Sequence, residues 1–256
     1  MSRKQARSPL RELPLRQPGQ SIEEEIRKLD DKLVAYFFFL IGCSSAIVLA
    51  VIEHLSKKLM DPVFLTAFAV LVIAFSAIQI ARIWRKMELL KLGRDGEKIV
   101  GQGLEKLRQE GCAIFHDIKG ENFNLDHVIV SSHGIFVVET KTFSKPTKGK
   151  ATVDYDGKEI LVNGHVPDRD PLQQVDANVH WLRDILKEST GKDFPVKGVV
   201  VFPGWFVDSR KAKGSAIWVL NPKALAAFIP NEPETIRDSD VYLIAFHLSR
   251  YIRAVH

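Results

Sequence analysis

The sequence is poor in cysteine: its 256 residues hold two, Cys43 and Cys112. Two cysteines exclude a zinc cluster and a disulfide framework. Cys43 lies inside an apolar run and Cys112 far beyond it, so no bridge between them is expected. The polar part of the chain must then be held by its own hydrophobic core, for which about 160 residues suffice. Surplus positive charge is also missing where a nucleic-acid binder would carry it. The formal net charge is +5 and the pI about 9.1. Residues 1–92 hold 14 Lys and Arg against 9 Asp and Glu, whereas residues 93–256 hold 22 of each. The basic pI therefore belongs to the first third and says nothing direct about nucleic acid. Internal repeats are lacking too.

Two long runs lack charge altogether. Residues 33–52 read LVAYFFFLIGCSSAIVLAVI and residues 63–81 read VFLTAFAVLVIAFSAIQIA. At a rise of ~1.5 Å per residue each covers about 30 Å, the thickness of a bilayer core. Neither carries the polar stripe of a soluble core helix. The first run starts more than thirty residues in and exceeds the ~7–15-residue core of a signal peptide, so it reads as an anchor. Arg16, Arg27, Lys28 and Lys32 precede the first run, and Arg82, Arg85, Lys86 and Lys91 follow the second. The short connection holds only Lys57 and Lys58. Basic residues stay on the cytoplasmic side. The expectation is an integral membrane protein with both termini cytoplasmic and only residues 53–62 outside. The bilayer is then one partner, and the spans offer a route to homo-oligomers.

Four segments follow from this. Residues 1–32 form a basic N-terminal segment, in which residues 1–20, rich in Arg, Pro and Gln, are expected to be disordered. Ser21 followed by Glu24 is a capping-box signature that starts a short polar helix. Residues 33–83 are the two-span hairpin. Residues 84–92 continue the second span as a charged helix expected to end at Gly93. Residues 93–256 form the remaining domain.

In that domain Ile99, Val100, Leu104 and Leu107 recur at near-helical spacing, with Gly111 as a stop. AIFHDI, LDHVIV and GIFVVETK have the length and β-branched content of strands. TVDY and KEILV flank Asp156 and Gly157, a hairpin turn. The segment from Asp170, with Pro171 next, reads as a helix through residue 189. VKGVVVFP reads as a buried strand, AIWVL as another, PKALAAFI as a helix, and residues 240–255 as the last helix. Strands and helices in this order make a mixed-sheet α/β domain.

The chemistry concentrates in NLDHVIVSSHGIFVVETKT. Alternate residues of a strand share a face, so Glu139 and Lys141 point the same way. If Ser132 and His133 form the turn, Asp126 sits opposite Glu139; if His133 and Gly134 do, it faces Lys141. Either way all three side chains project from one face, and a three-residue loop would break this. Two such close carboxylates repel. A divalent cation compensates them, and a nearby lysine stabilises charge on a phosphate or on a metal-bound water.

GRDGE at 93–97, NFNLDHVIV, IFVVETK and PLQQ at 171–174 occur in that order. Together they resemble the nuclease-related domain, NERD, a branch of the PD-(D/E)XK nuclease superfamily, over residues 93–203. The resemblance implies a restriction-endonuclease-like core, a mixed sheet flanked by helices, with Mg²⁺ or Mn²⁺ at the hairpin. Carried over by motif, Glu97 is the first-helix acid, Asp126 the strand acid, and Glu139 with Lys141 the Glu-x-Lys pair. Glu97, Asp126 and Glu139 would hold metal. Gln174 would be the polar residue of the following helix, with neighbouring Gln173 the other option. His127 faces away from Asp126 and reads as a packing residue. His116, His165 and His180 lack metal-ligand spacing, and Trp181 and Trp218 read as core. Lys145, Lys148 and Lys150 follow the hairpin at once and either track a phosphate backbone or form a solvated loop.

The expected function is membrane-anchored, metal-dependent hydrolysis of nucleic-acid phosphodiester bonds, with DNA the expected partner. The alternative is a non-catalytic membrane-tethered module binding nucleic acid or protein on the same fold.

Overall fold

The computed structural model describes residues 15–57 and 62–255. The expected disorder of residues 1–14, and Lys58 in the connection, lie outside the described residues. Two compact units result: Ser21–Leu92, and Gly93–His256 together with the segment up to Gln20.

In the first unit, helix α1 spans Gln20–Lys57, and Pro62 begins helix α2, which runs to Leu104. Each has a stretch long and apolar enough to cross a membrane, with mean hydropathy 2.0 and only 6% of that window buried. A water-soluble core helix would hide that surface; these expose Phe38, Ile41, Leu71 and Ile73. Ile26, Leu29 and Leu33 pack with Met87 at the polar ends of the two helices.

Gly93 does not end the second helix, contrary to the reading above. α2 passes through Gly93, Gly96, Gly101 and Gly103 to Leu104 and tightens into a 3-10 turn, Glu105–Glu110, closed by Gly111 with φ +85°. Each interior glycine costs about 1 kcal/mol of helix propensity. Burial of Val100 (1% exposed), Leu104 and Leu107 on the sheet offsets it.

The second unit is a mixed sheet between helices. Its strands are β1 (Ala113–Lys119), β2 (Asn124–Ser131), β3 (Gly134–Thr140), then β4 (Thr152–Tyr155), β5 (Ile160–Val162), β6 (Val196–Val201), β7 (Phe206–Asp208) and β8 (Ile217–Leu220). The main sheet has order β1-β2-β3-β6-β8. Its first three strands are antiparallel, and β6 and β8 join in parallel. The hairpin β4–β5 pairs with the short β7 in a second sheet; β7 has no counterpart in the sequence reading.

Helix α3 (Pro171–Thr190) starts where expected: Asp170 accepts a hydrogen bond from the Leu172 N–H at 2.9 Å, with proline in the first turn. Val175, Val179, Leu182 and Leu186 form the buried stripe that fixes it to the sheet. Between Leu220 and Asn231 the expected helix is broken into 3-10 turns around a single α-turn, α4 (Leu225–Phe228). Helix α5 (Asp238–Ala254) completes the chain. One sheet face, with Val128, Ile135, Val137 and Val200, packs under α3 and α5. The opposite face, with Ile129, Phe136, Val138 and Val199, packs on the end of α2 and on α4.

Candidate active site

The β2–β3 turn decides between the two registers left open above. Ser131 pairs with Gly134, so Ser132 and His133 form the loop. The ladder runs to His127 opposite Val138, and one step further places Asp126 opposite Glu139. Asp126 then leaves the ladder: its Oδ2 accepts the Thr140 N–H at 2.7 Å. On the other side of β2, His116 pairs with His127 and Ile118 with Leu125, while the pair Asp117–Asp126 between them is skipped. Asp117 has φ +51°, a left-handed conformation that Asp tolerates better than most residues. Facing changes across this point. Ile129, two residues past His127, packs on the α2 side, yet Leu125 and Ile118 belong to the α3 side. The kink thus turns two acids out of the regular pleat.

Glu139, next to last in β3, lies on the α3 side and is 2% exposed. Its Oε1 accepts from Lys141 Nζ at 2.9 Å and Gln174 Nε2 at 2.6 Å, and its Oε2 from Asn178 Nδ2 at 3.3 Å. Lys141 Nζ also donates to Gln174 Oε1 at 2.7 Å, which closes a triangle of acid, ammonium and amide. Gln174 is therefore the inward residue; Gln173 is exposed and lines a cleft of about 660 Å³ with Tyr155 and Lys211. Asn178 was missed in the sequence. The signal was its place one helical turn past Gln174, on the buried stripe.

Glu97 joins from α2 and is 8% exposed. Gly96 beside it permits a close approach: a Cβ there would stand 1.9 Å from Thr142 Oγ1. Burial, then the charges of Asp117 and Glu139, push Glu97 up to about 8, against a hydrogen bond from the Gly19 backbone and the Lys141 ammonium. Burial, then Glu139 and Glu97, raise Asp126 well above the usual carboxylate range. Burial raises Glu139 as well, with Lys141 opposing. The three acids therefore sit within one another's field, short of positive charge.

The residues 15–20 are ordered against this domain, a correction to the expected disorder. Arg16, 3% exposed, is paired with buried Asp117. A short segment next to Pro and Gln reads as disordered on composition, but one desolvated ion pair and a half-buried Leu15 packed against the core override composition.

Lys145, Lys148 and Lys150 are exposed on the loop after β3, with the Lys145 side chain against Gly204. His127 is fully buried and bonds His116, Nδ1 to Nδ1 at 2.8 Å. Trp181 packs edge-on to Phe123, and Trp218 stacks on Phe136.

Metal ligation is the expectation for Glu97, Asp126 and Glu139. Among the described residues no three His, Cys, Asp or Glu side chains stand together as a ready ion-binding group. Lys141 and Gln174 both engage Oε1 of Glu139. The donor chemistry nonetheless fits a hard divalent cation: mutually repelling carboxylate oxygens with raised proton affinity. Two buried hydroxyls on the same chain stretch, Thr140 and Thr142, also lack a hydrogen-bond partner.

A strand acid, a Glu-x-Lys strand end, a helix acid and a helix glutamine on a mixed sheet define a nuclease-like α/β domain. Residues 92–203 match the family model of the nuclease-related domain. An uncharacterized protein of Bacillus anthracis is 34% identical over 56 residues, 20% of this chain and 26% of that protein. The matched stretch thus spans about a quarter of that relative. No solved structure gives a significant match.

Proposed function

We propose that this protein is a membrane-anchored, divalent-metal-dependent nuclease. The observation that carries the reading is Lys141 held between Glu139 and Gln174, with the buried acids Glu97 and Asp126 within the electrostatic field of Glu139. Glu97, Asp126 and Glu139 would hold Mg²⁺ or Mn²⁺, which when bound polarises a phosphoryl oxygen and makes water a better nucleophile. The remaining work falls to the chain. The Lys141 ammonium supplies positive charge where the phosphate gains negative charge. Gln174 fixes both Lys141 and Glu139 through its two amide atoms, so neither must reorganise. Asn178 holds the second oxygen of Glu139 from behind. Exposed Lys145, Lys148 and Lys150 follow along the loop and would track the backbone of a nucleic acid, with DNA the expected substrate.

Helices α1 and α2 would anchor this domain, with the basic residues at their polar ends setting both termini on the cytoplasmic side. Their exposed apolar surface is far larger than a soluble monomer carries, and association through it would give homo-oligomers.

The test is cleavage by the full chain in detergent or lipid nanodiscs, on single- and double-stranded DNA and on RNA, with and without Mg²⁺ or Mn²⁺. Cleavage by wild type is expected to fall at least about a hundredfold in Glu139→Ala and Lys141→Ala. A wild type that cuts no better than these variants on any substrate removes the enzymatic reading. The second reading, a binding module without catalysis, is favoured by the charge balance of residues 93–256. Salt-dependent DNA binding without metal-dependent cleavage supports it.

A further inference from the structure

The acid cluster has a fourth member with no task in the mechanism above. Asp117 lies on β1 across from Asp126, is 2% exposed and adopts φ +51°. Its partner comes from far away in sequence: Arg16 Nε and a terminal guanidinium nitrogen reach Asp117 Oδ2 at 2.7 and 2.5 Å, 101 residues apart. The residues after Arg16 continue along the helix stretch that bears Glu97. Pro18 lies on Gly101, where a Cβ would stand 2.3 Å from the proline ring. The Gly19 N–H donates to Glu97 itself.

A buried ion pair is a weak source of net stability, because desolvation offsets the attraction. Two apolar residues would hold the segment as well. The pair instead joins a charged side chain to the acid neighbouring Glu97, while the same five-residue stretch bonds Glu97 by its backbone. We propose that residues 15–19, which precede the hairpin, are part of the active site, with Arg16 a positioning residue. It fixes Asp117, and through Asp117 and the docked segment it sets the place of Glu97 for a divalent cation. Without the guanidinium, Asp117 becomes a bare buried carboxylate. It must then take a proton or swing toward Glu97, and in either case the helix acid loses its fixed surroundings. Arg suits the task better than Lys because its fork presents two nitrogens to one carboxylate in fixed geometry. The inference rests on the metal-dependent reading above.

The test uses the full chain in nanodiscs, with Mn²⁺ affinity read by electron paramagnetic resonance, and kcat and KM for cleavage. Arg16→Ala is expected to weaken Mn²⁺ binding and lower kcat by at least about tenfold each, the scale of outer-shell partners, with KM unchanged. Arg16→Lys should recover part of both. Because Arg16→Ala leaves a buried charge and risks misfolding, Arg16→Met combined with Asp117→Leu replaces the pair by packing. That double variant should keep the thermal midpoint yet stay weak for Mn²⁺. If it restores Mn²⁺ affinity, or if Arg16→Ala binds as wild type does, the pair is only structural and the proposal is overturned while the metal reading stands. A wild type that binds no Mn²⁺ and cuts nothing overturns both.

Discussion

Two buried polar clusters sit back to back on the same two strands, and they solve the problem of burial in opposite ways. His116 and His127 lie next to Asp117 and Asp126 in sequence but on the α2 side of the sheet. Burial lowers both imidazoles, His127 far below its usual value, so both are neutral. One donates to the other, and His116 also bonds Glu105 at 2.8 Å. That cluster satisfies itself apart from one His127 nitrogen. The acids cannot do the same. Each carboxyl worsens its neighbour, and the cations present, Lys141 and Arg16, engage Glu139 and Asp117. Burying neutral polar groups builds structure; burying like charges leaves the fold dependent on a proton or a cation.

The sharpest way to break this contrast is His127→Ala. If the histidine pair is structural, the variant loses about 2–4 kcal/mol of stability by cavity formation and the lost bond, seen in chemical denaturation, while folded protein keeps the proposed metal-dependent cleavage at the wild-type level. Lost cleavage at full stability would place the histidines in the chemistry.

A smaller effect separates the clusters by pH. Glu97 ordinarily titrates at 4.5 and is raised to about 8 in the fold. Below 4.5 both states hold its proton. Between 4.5 and 8 only the folded state does, so metal-free stability falls as pH rises through this window. The expected fall is on the order of 2–3 kcal/mol, since neighbouring carboxyls share the protons. Thermal unfolding at a series of pH values should show it, and Glu97→Gln or added Mg²⁺ should flatten it. An unchanged slope in Glu97→Gln breaks the picture of a charge-starved site.

The smallest expected effect sorts two adjacent residues. Gln174→Ala should lower kcat by about tenfold through the loss of the Lys141–Glu139 brace; Gln173→Ala, on the exposed side, should leave it within error. Equal losses would mean that the helix presents a different face to substrate.

Much of this was legible in the sequence. Short range and strict periodicity carried β1, β2, β3, the Asp156–Gly157 turn and the capped start of α3. The pleat alone puts Glu139 and Lys141 on one face. What local pattern could not carry was anything settled by distant packing. Gly93 reads as a helix stop, but burial of Val100 and Leu104 carries α2 through it. Residues 15–20 look disordered in composition, and their order depends on a partner more than ninety residues on. The histidine pair was invisible because cross-strand register, not spacing along the chain, joins His116 to His127. Asn178 was hidden for a milder reason, since a polar residue on an apolar stripe gains meaning only once its facing strand is known.

The bond between Arg16 and Asp117 also constrains the path of everything between them. Two residues joined in one dry contact must lie in the same compartment. Where the two apolar helices cross a bilayer, the chain between Arg16 and Asp117 must therefore cross it an even number of times. A molecule in which one helix slipped across and the other did not would strand the arginine and its acid on opposite shores, unable to close the site.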